Sequence, residues 1–300
     1  PLPSPDIRTL AASEDGPLWV GGPQGMARVE SYFATFKAPE IDVCASTTTR
    51  IGANLWFGGG RCADPDCLEL DGGVYISDPA NETQRVDPLL LPGSEGTPSG
   101  RMVNVILSIA DEVWVGTDSG IAILTENGEV VETLVDGPFG VGVSDMLLVE
   151  ADELWIGTSG AGVVRMDPAS RVFDTLTEDP NNQTLLSNFV NALAFGDNQL
   201  WIGSVEGISI FNRNDDNFGT PIAANRLPHP DIRDLVYGAG RFHAATARGL
   251  VSCVPQGVCR TVTRGGNPPT LAGIPFEAGT DEVRSLTFDG QYLWFAMGIE

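Results

Sequence analysis

Apolar and polar positions alternate along this chain in short bursts, and no segment sustains the three-to-four spacing of a helix. Val190–Phe195 (VNALAF) alternates, and the polar turn Gly196–Gln199 follows it. Then come an apolar word, Leu200–Ser204 (LWIGS), a tight turn, a second apolar run, Ile208–Phe211, and a polar stretch, Asn212–Asn217. This order predicts four short strands of one antiparallel sheet. The same order recurs. The words are Leu18–Gly22 (LWVGG), Leu55–Gly59 (LWFGG), Val113–Thr117 (VWVGT), Leu154–Thr158 (LWIGT), Leu200–Ser204 and Leu293–Ala296 (LWFA). A degenerate copy, Phe242–Thr246 (FHAAT), puts His243 in the tryptophan slot. The slots at 19, 56, 114, 155, 201, 243 and 294 lie 37 to 58 residues apart, the range of a propeller blade.

A sheet that is apolar on both faces cannot stand alone, and packing sheets around an axis buries both faces. The expected fold is therefore all-β: a seven-bladed β-propeller of four-stranded antiparallel blades. Blades are expected over roughly 1–40, 41–91, 101–136, 141–178, 188–227 and 230–264, with an incomplete last blade over 281–300. The tryptophans read as packing residues between blades. Gly25, Gly120, Gly162, Gly207 and Gly249 precede the third strands and fit turns that need a positive backbone angle.

Two stretches carry a resemblance. Asp179–Leu193 (DPNNQTLLSNFVNAL), followed by LWIGS, resembles the inter-blade loop and first strand of the two-component regulator propeller repeat. Leu154–Asp167 (LWIGTSGAGVVRMD) resembles it equally. The resemblance extends over nearly the whole chain, with blades two and six divergent. It implies a periplasmic or extracellular sensor-type propeller that binds a ligand, with an oligosaccharide as one class. No kinase, membrane helix or immunoglobulin-like domain lies in these 300 residues.

Composition narrows the partners. The net charge is -23, which repels nucleic acid and anionic lipid. No run of about eighteen apolar residues exists to insert in a membrane. The five cysteines include two close pairs, and local Cys62–Cys67 and Cys253–Cys259 disulfides are expected, hence an oxidising compartment. Cys44 is left over as a buried thiol. The alternative is five free cysteines in the core.

Loops that join second to third strands, and one blade to the next, share one face. Long segments fall there: Gly60–Gly72, Pro92–Gly100 and Asp179–Asn188. Function tends to sit on such loops. The innermost strands carry a second pattern. Pro5–Leu10 (PDIRTL), Pro230–Leu235 (PDIRDL) and Asp281–Leu286 (DEVRSL) are near copies, matched elsewhere by Asn104, Ser144 and Asn191. Arg8, Asn104, Asn191, Arg233 and Arg284 are thus expected to line the channel rim and to offer a carboxylate or sulfate site. The competing reading pairs Arg8 with Asp6 and Arg233 with Asp231.

No cofactor is expected. Asp64, Asp66 and Asp71 are weak calcium candidates without the spacing of a calcium loop, and no metal site is expected otherwise. No nucleophile motif or catalytic triad order is present. The chain reads as non-enzymatic. The alternatives are a lyase or hydrolase on the same scaffold, using His229 or Glu69, and a scaffold that binds a protein through its rim.

Overall fold

A computed structural model describes residues 7–11, 18–22, 25–29, 36–37, 45–59, 72–77, 83–85, 91, 102–179, 185–262 and 282–297. These form seven antiparallel sheets, each built from consecutive strands. Blade 1 holds β1 (Thr9–Ala11), β2 (Leu18–Gly22), β3 (Gly25–Val29) and β4 (Phe36–Lys37). Blade 2 holds β5 (Ala45–Ile51), β6 (Asn54–Gly59), β7 (Gly73–Ser77) and β8 (Thr83–Arg85). Blade 3 holds β9 (Val103–Ile109), β10 (Glu112–Thr117), β11 (Gly120–Thr125) and β12 (Val130–Leu134). Blade 4 holds β13 (Val143–Glu150), β14 (Glu153–Thr158), β15 (Val163–Met166) and β16 (Phe173–Leu176). Blade 5 holds β17 (Val190–Gly196), β18 (Gln199–Ser204), β19 (Gly207–Asn212), β20 (Asn217–Phe218) and β21 (Ile222–Ala223). Blade 6 holds β22 (Ile232–Gly238), β23 (Arg241–Thr246), β24 (Gly249–Cys253) and β25 (Cys259–Val262). The seventh sheet pairs β26 (Val283–Phe288) with β27 (Leu293–Met297).

Blade 5 departs from the four-strand expectation, because its outer strand is split. β20 and β21 both pair with β19, at Asn212↔Asn217 and at Ile208↔Ile222. Gly219, Thr220 and Pro221 interrupt the apolar pattern between the two pieces.

First strands touch first strands in the order β1, β5, β9, β13, β17, β22, β26, and β26 touches β1 again. The ring is closed and the first strands line its axis. Seven apolar clusters fill the seven seams. Trp56 lies with Val103, Ile106 and Val113 of blade 3. Trp114 lies with Val143 and Met146 of blade 4, Trp155 with Val190 and Leu193 of blade 5, and Trp201 with Ile232 and Leu235 of blade 6. Trp19 packs toward Leu55 and Phe57, and Trp294 toward Leu18 and Val20. Each tryptophan thus covers the seam to the following blade. The exception is blade 6, where the seam cluster is Ala245, Leu250, Val283 and Leu286.

The glycine two residues after Trp56, Trp114, Trp155 and Trp201 has the same cause. A Cβ on Gly157 would meet Val190 Cγ1 at 2.8 Å, and one on Gly203 would meet Ile232 Cγ2 at 2.6 Å. The next blade's first strand occupies that space. The hydroxyl closing four of the words ties the following turn. Thr158 Oγ1 donates to the Gly162 carbonyl (2.8 Å) and accepts the Ala161 amide (2.9 Å). Thr117, Ser204 and Thr246 donate in the same way to Gly120, Gly207 and Gly249. All four turn glycines have positive φ, as expected.

Charged latches close two seams on the side away from the loop-rich face. Arg171 of blade 4 reaches Glu112 (3.0 Å) and Glu132 (3.0 Å) of blade 3 and lies 4.7 Å over the Trp114 ring. Arg213 of blade 5 reaches Glu153 (2.6 Å) and Glu150 (2.7 Å) of blade 4. Glu112 and Glu153 also accept the indole N–H of the tryptophan two residues on.

Cys253 and Cys259 face each other across the β24–β25 hairpin and form a disulfide. Cys44, Cys62 and Cys67 lie outside the described residues.

Candidate functional site

The first strands begin at the channel mouth, on the face that carries the inter-blade loops. Five of them bear a bulge there. The register breaks between Ala45 and Thr47, Val143 and Asp145, Val190 and Ala192, Ile232 and Asp234, and Val283 and Ser285. A matching break in blade 3 falls at Asn104. In blade 1 the Arg8 amide donates to the Gly21 carbonyl (2.8 Å), opposite the residue that pairs with Thr9. A bulge adds an unpaired residue and turns its side chain out of the normal alternation. The extra residues are Ser46, Asn104, Ser144, Asn191, Arg233 and Arg284, with Arg8 in the equivalent place. The residues singled out from sequence therefore do form one ring. Ser46 is the member that sequence reasoning missed, because blade 2 lacks the PDIR-type word.

The ring has two halves. On blades 2, 3 and 5 the side chains close seams. Asn104 Nδ2 donates to the Val143 carbonyl (2.8 Å), and Asn191 Nδ2 donates to the Ile232 carbonyl (2.8 Å). Ser46 Oγ donates to the Val103 carbonyl. In each case the acceptor is the residue just before the next blade's bulge. Ser144 Oγ on blade 4 has no hydrogen-bond partner among the described residues.

On blades 6, 7 and 1 the same position holds arginine. Arg233 Nε lies 2.9 Å from Asp231 Oδ2, and its Nη2 lies 3.4 Å from Glu282 Oε1. Arg284 Nη2 lies 3.2 Å from Glu282 Oε2. The expected Asp231–Arg233 pair is present. Asp6, the expected partner of Arg8, lies outside the described residues. The side chains of Arg233 and Arg284 remain 42% and 31% exposed. These pairs are solvated enough for an incoming anion to compete for the guanidinium groups.

The described part of the 179–188 loop is fastened over the seam between blades 4 and 5. Asn188 Oδ1 accepts the Glu178 amide (2.7 Å), and its carbonyl accepts the Gly162 amide (3.0 Å). Leu185 is buried beneath it, while Phe189 beside it is exposed.

His229 Nδ1 accepts the Asp231 amide (3.1 Å). His243 is pushed below the ordinary histidine range by burial. Asp64, Asp66, Glu69, Asp71 and the 92–100 connection lie outside the described residues. Among the described residues no group of three or more His, Cys, Asp or Glu could hold a metal ion. No helix of the described residues is long and apolar enough to cross a membrane.

No family model matches this chain, and no curated relative matches it. Solved structures do. The extracellular domain of a putative one-component system from B. thetaiotaomicron is 15% identical, with a TM-score of 0.71. The match covers 98% of this chain and 38% of that one. The extracellular domain of a putative hybrid two-component system from the same organism is 14% identical, with 98% and 39% covered and a TM-score of 0.70. A catalytically inactive histidine-to-alanine variant of virginiamycin B lyase from Staphylococcus aureus, with quinupristin, is 13% identical. There the match covers 98% of this chain and 92% of the lyase, with a TM-score of 0.72. The chain thus spans well under half the length of the two extracellular domains. What it shares with all three is the β-propeller fold.

Proposed function

We propose that this chain is a non-enzymatic ligand-binding propeller of the sensor type, working outside the cytoplasm. Its ligand is an anionic small molecule or oligosaccharide taken at the channel mouth of the loop-rich face. One observation carries this reading. Ring closure sets Arg8 beside Arg284 and Arg233, so three consecutive blades present arginine where the others present short polar groups. Forked guanidinium groups suit carboxylate or sulfate. The Cys253–Cys259 disulfide supports an oxidising compartment. The likeness to extracellular domains of regulators supports the sensor role.

Calorimetric titration with a panel of uronate-bearing and sulfated oligosaccharides tests it. At least one member should bind, and the Arg233→Ala/Arg284→Ala double variant should weaken it at least tenfold, or about 1.4 kcal/mol. A panel that binds nowhere, or a variant that binds like the parent, overturns the reading.

The lyase likeness, which covers nearly the whole of that enzyme, favours a second reading. Its candidate base is His229. Under the binding reading, quinupristin incubated with the chain stays intact by chromatography. Turnover that disappears in His229→Ala would establish the lyase instead.

A further inference from the structure

Immediately after the bulge, blades 4 and 6 place an aspartate where the other blades have Thr9, Thr47, Val105, Ala192 and Ser285. Asp145 Oδ1 accepts the amide of Met146 (2.8 Å), and its Oδ2 accepts the amide of Leu193 on blade 5 (2.7 Å). Asp234 repeats this. Its Oδ1 accepts the amide of Leu235 (2.7 Å), and its Oδ2 accepts the amide of Leu286 on blade 7 (2.6 Å). The Ser285 hydroxyl donates to it as well. Each carboxylate is a clip from one blade's inner edge to the next. A first strand at the axis has N–H groups with no strand to pair with, and these two acids satisfy one such group each.

The clips are held by dipoles rather than by cations. β9 and β17, which flank Asp145, carry no ionisable side chain. On β14 the one acid, Glu153, is paired with Arg165 and Arg213. The charge that faces Asp145 is Asp234. Around Asp234, β17 is again uncharged. Arg233 on β22 and Arg284 on β26 contact Asp231 and Glu282, which lie just before those strands. On β23, Arg241 bonds Ser252 and His243 lies within the blade 6 sheet.

We propose that Asp145 and Asp234 form a proton-binding pair inside the channel, and that proton uptake there alters the clips joining blade 4 to blade 5 and blade 6 to blade 7. The propeller then responds to the pH of its surroundings independently of any ligand at the arginines. Each aspartate is half-buried, and the burial of its carboxylate is the largest influence on its ionisation. Burial raises Asp145 from 3.8 to about 7, with the Asp234 charge adding and the two amides opposing. Burial raises Asp234 to about 6 against its amide and hydroxyl donors. The folded chain therefore holds protons that an unfolded chain has released. The stability these groups give is complete below 3.8 and is lost as pH rises toward about 7, opposite to ordinary acid unfolding.

The amide nitrogen shifts of Leu193 and Leu286, followed from pH 5 to 8.5, test the pair. An inflection near 7 is expected at Leu193 and near 6 at Leu286. Asp145→Asn should abolish the first and leave the second near 6, because Asp145 is still mostly protonated where Asp234 titrates. The titration of the parent chain decides by itself if that variant does not fold. A flat profile at either amide, or a Leu193 inflection that survives Asp145→Asn, overturns the proposal.

Discussion

The seam between blades 4 and 5 and the seam between blades 6 and 7 begin alike at the channel and end differently at the rim. Both start with an aspartate clip, Asp145 to Leu193 and Asp234 to Leu286. Further out, the first seam holds Trp155 with Phe211 at 5.2 Å between ring centres. It closes on Glu153, whose side chain is 6% exposed and lies against Arg165 and Arg213. The second seam has His243 where tryptophan stands elsewhere, and the buried Nδ1 of that ring has no partner among the described residues. Where Glu153 would be, blade 6 has Arg241, which bonds Ser252 of its own blade. The repeat fixes the inner edge of every seam. How tightly the outer end closes depends on residues some 60 positions apart. The loosely closed seam is also the one that joins Arg233 to Arg284.

The largest expected effect breaks the tight seam from its middle. Gly157→Val drives a side chain into Val190, already 2.8 Å from a bare Cβ, and should cost about 3 kcal/mol in denaturant unfolding. Next comes its outer latch. Glu153→Ala removes a carboxylate shared by Arg165 and Arg213, which keep Asp216 and Glu150, leaves the buried Trp155 N–H without its acceptor, and should cost about 2 kcal/mol by the same measurement. An unchanged midpoint would show that the latch adds nothing to the apolar packing. The smallest effect needs no substitution. Backbone amides of β26 should exchange hydrogen faster than those of β17, because their seam lacks the tryptophan and the buried carboxylate latch that Glu153 supplies. Equal protection would remove the contrast between the seams.

The sequence read alone reached the blades because each repeats a word with a packing cause. Trp114, Trp155 and Trp201 bury fully, and the glycine after them makes room for the next strand. The ring at the mouth was legible from the likeness of PDIRTL to PDIRDL. What that likeness hid was the residue after the arginine. Asp234 looks like part of the same word, while Asp145 sits in an unrelated one, GVSDML, and only the shared bulge aligns them. The latches were hidden for another reason. Glu112 and Arg171, or Glu153 and Arg213, belong to different blades, and no local period links them. The one available signal was the acid or amide two residues before a tryptophan, at Glu112, Glu153 and Gln199. Blade 5's split outer strand could be suspected only from the interruption at Gly219–Pro221. Asn104 and Asn191 looked like ligand contacts by alignment, yet both spend their amides on the neighbouring blade.

The claim that most needs testing is where the ligand sits. Amide shift mapping with the tightest-binding anionic oligosaccharide addresses it directly. The account predicts perturbations that cluster at the channel mouth, around Arg8, Arg233 and Arg284, and leave the outer strands unchanged. Shifts centred instead on the exposed rim residues Val131, Val172 and Phe173 would contradict it and mark the outer edge as the binding surface.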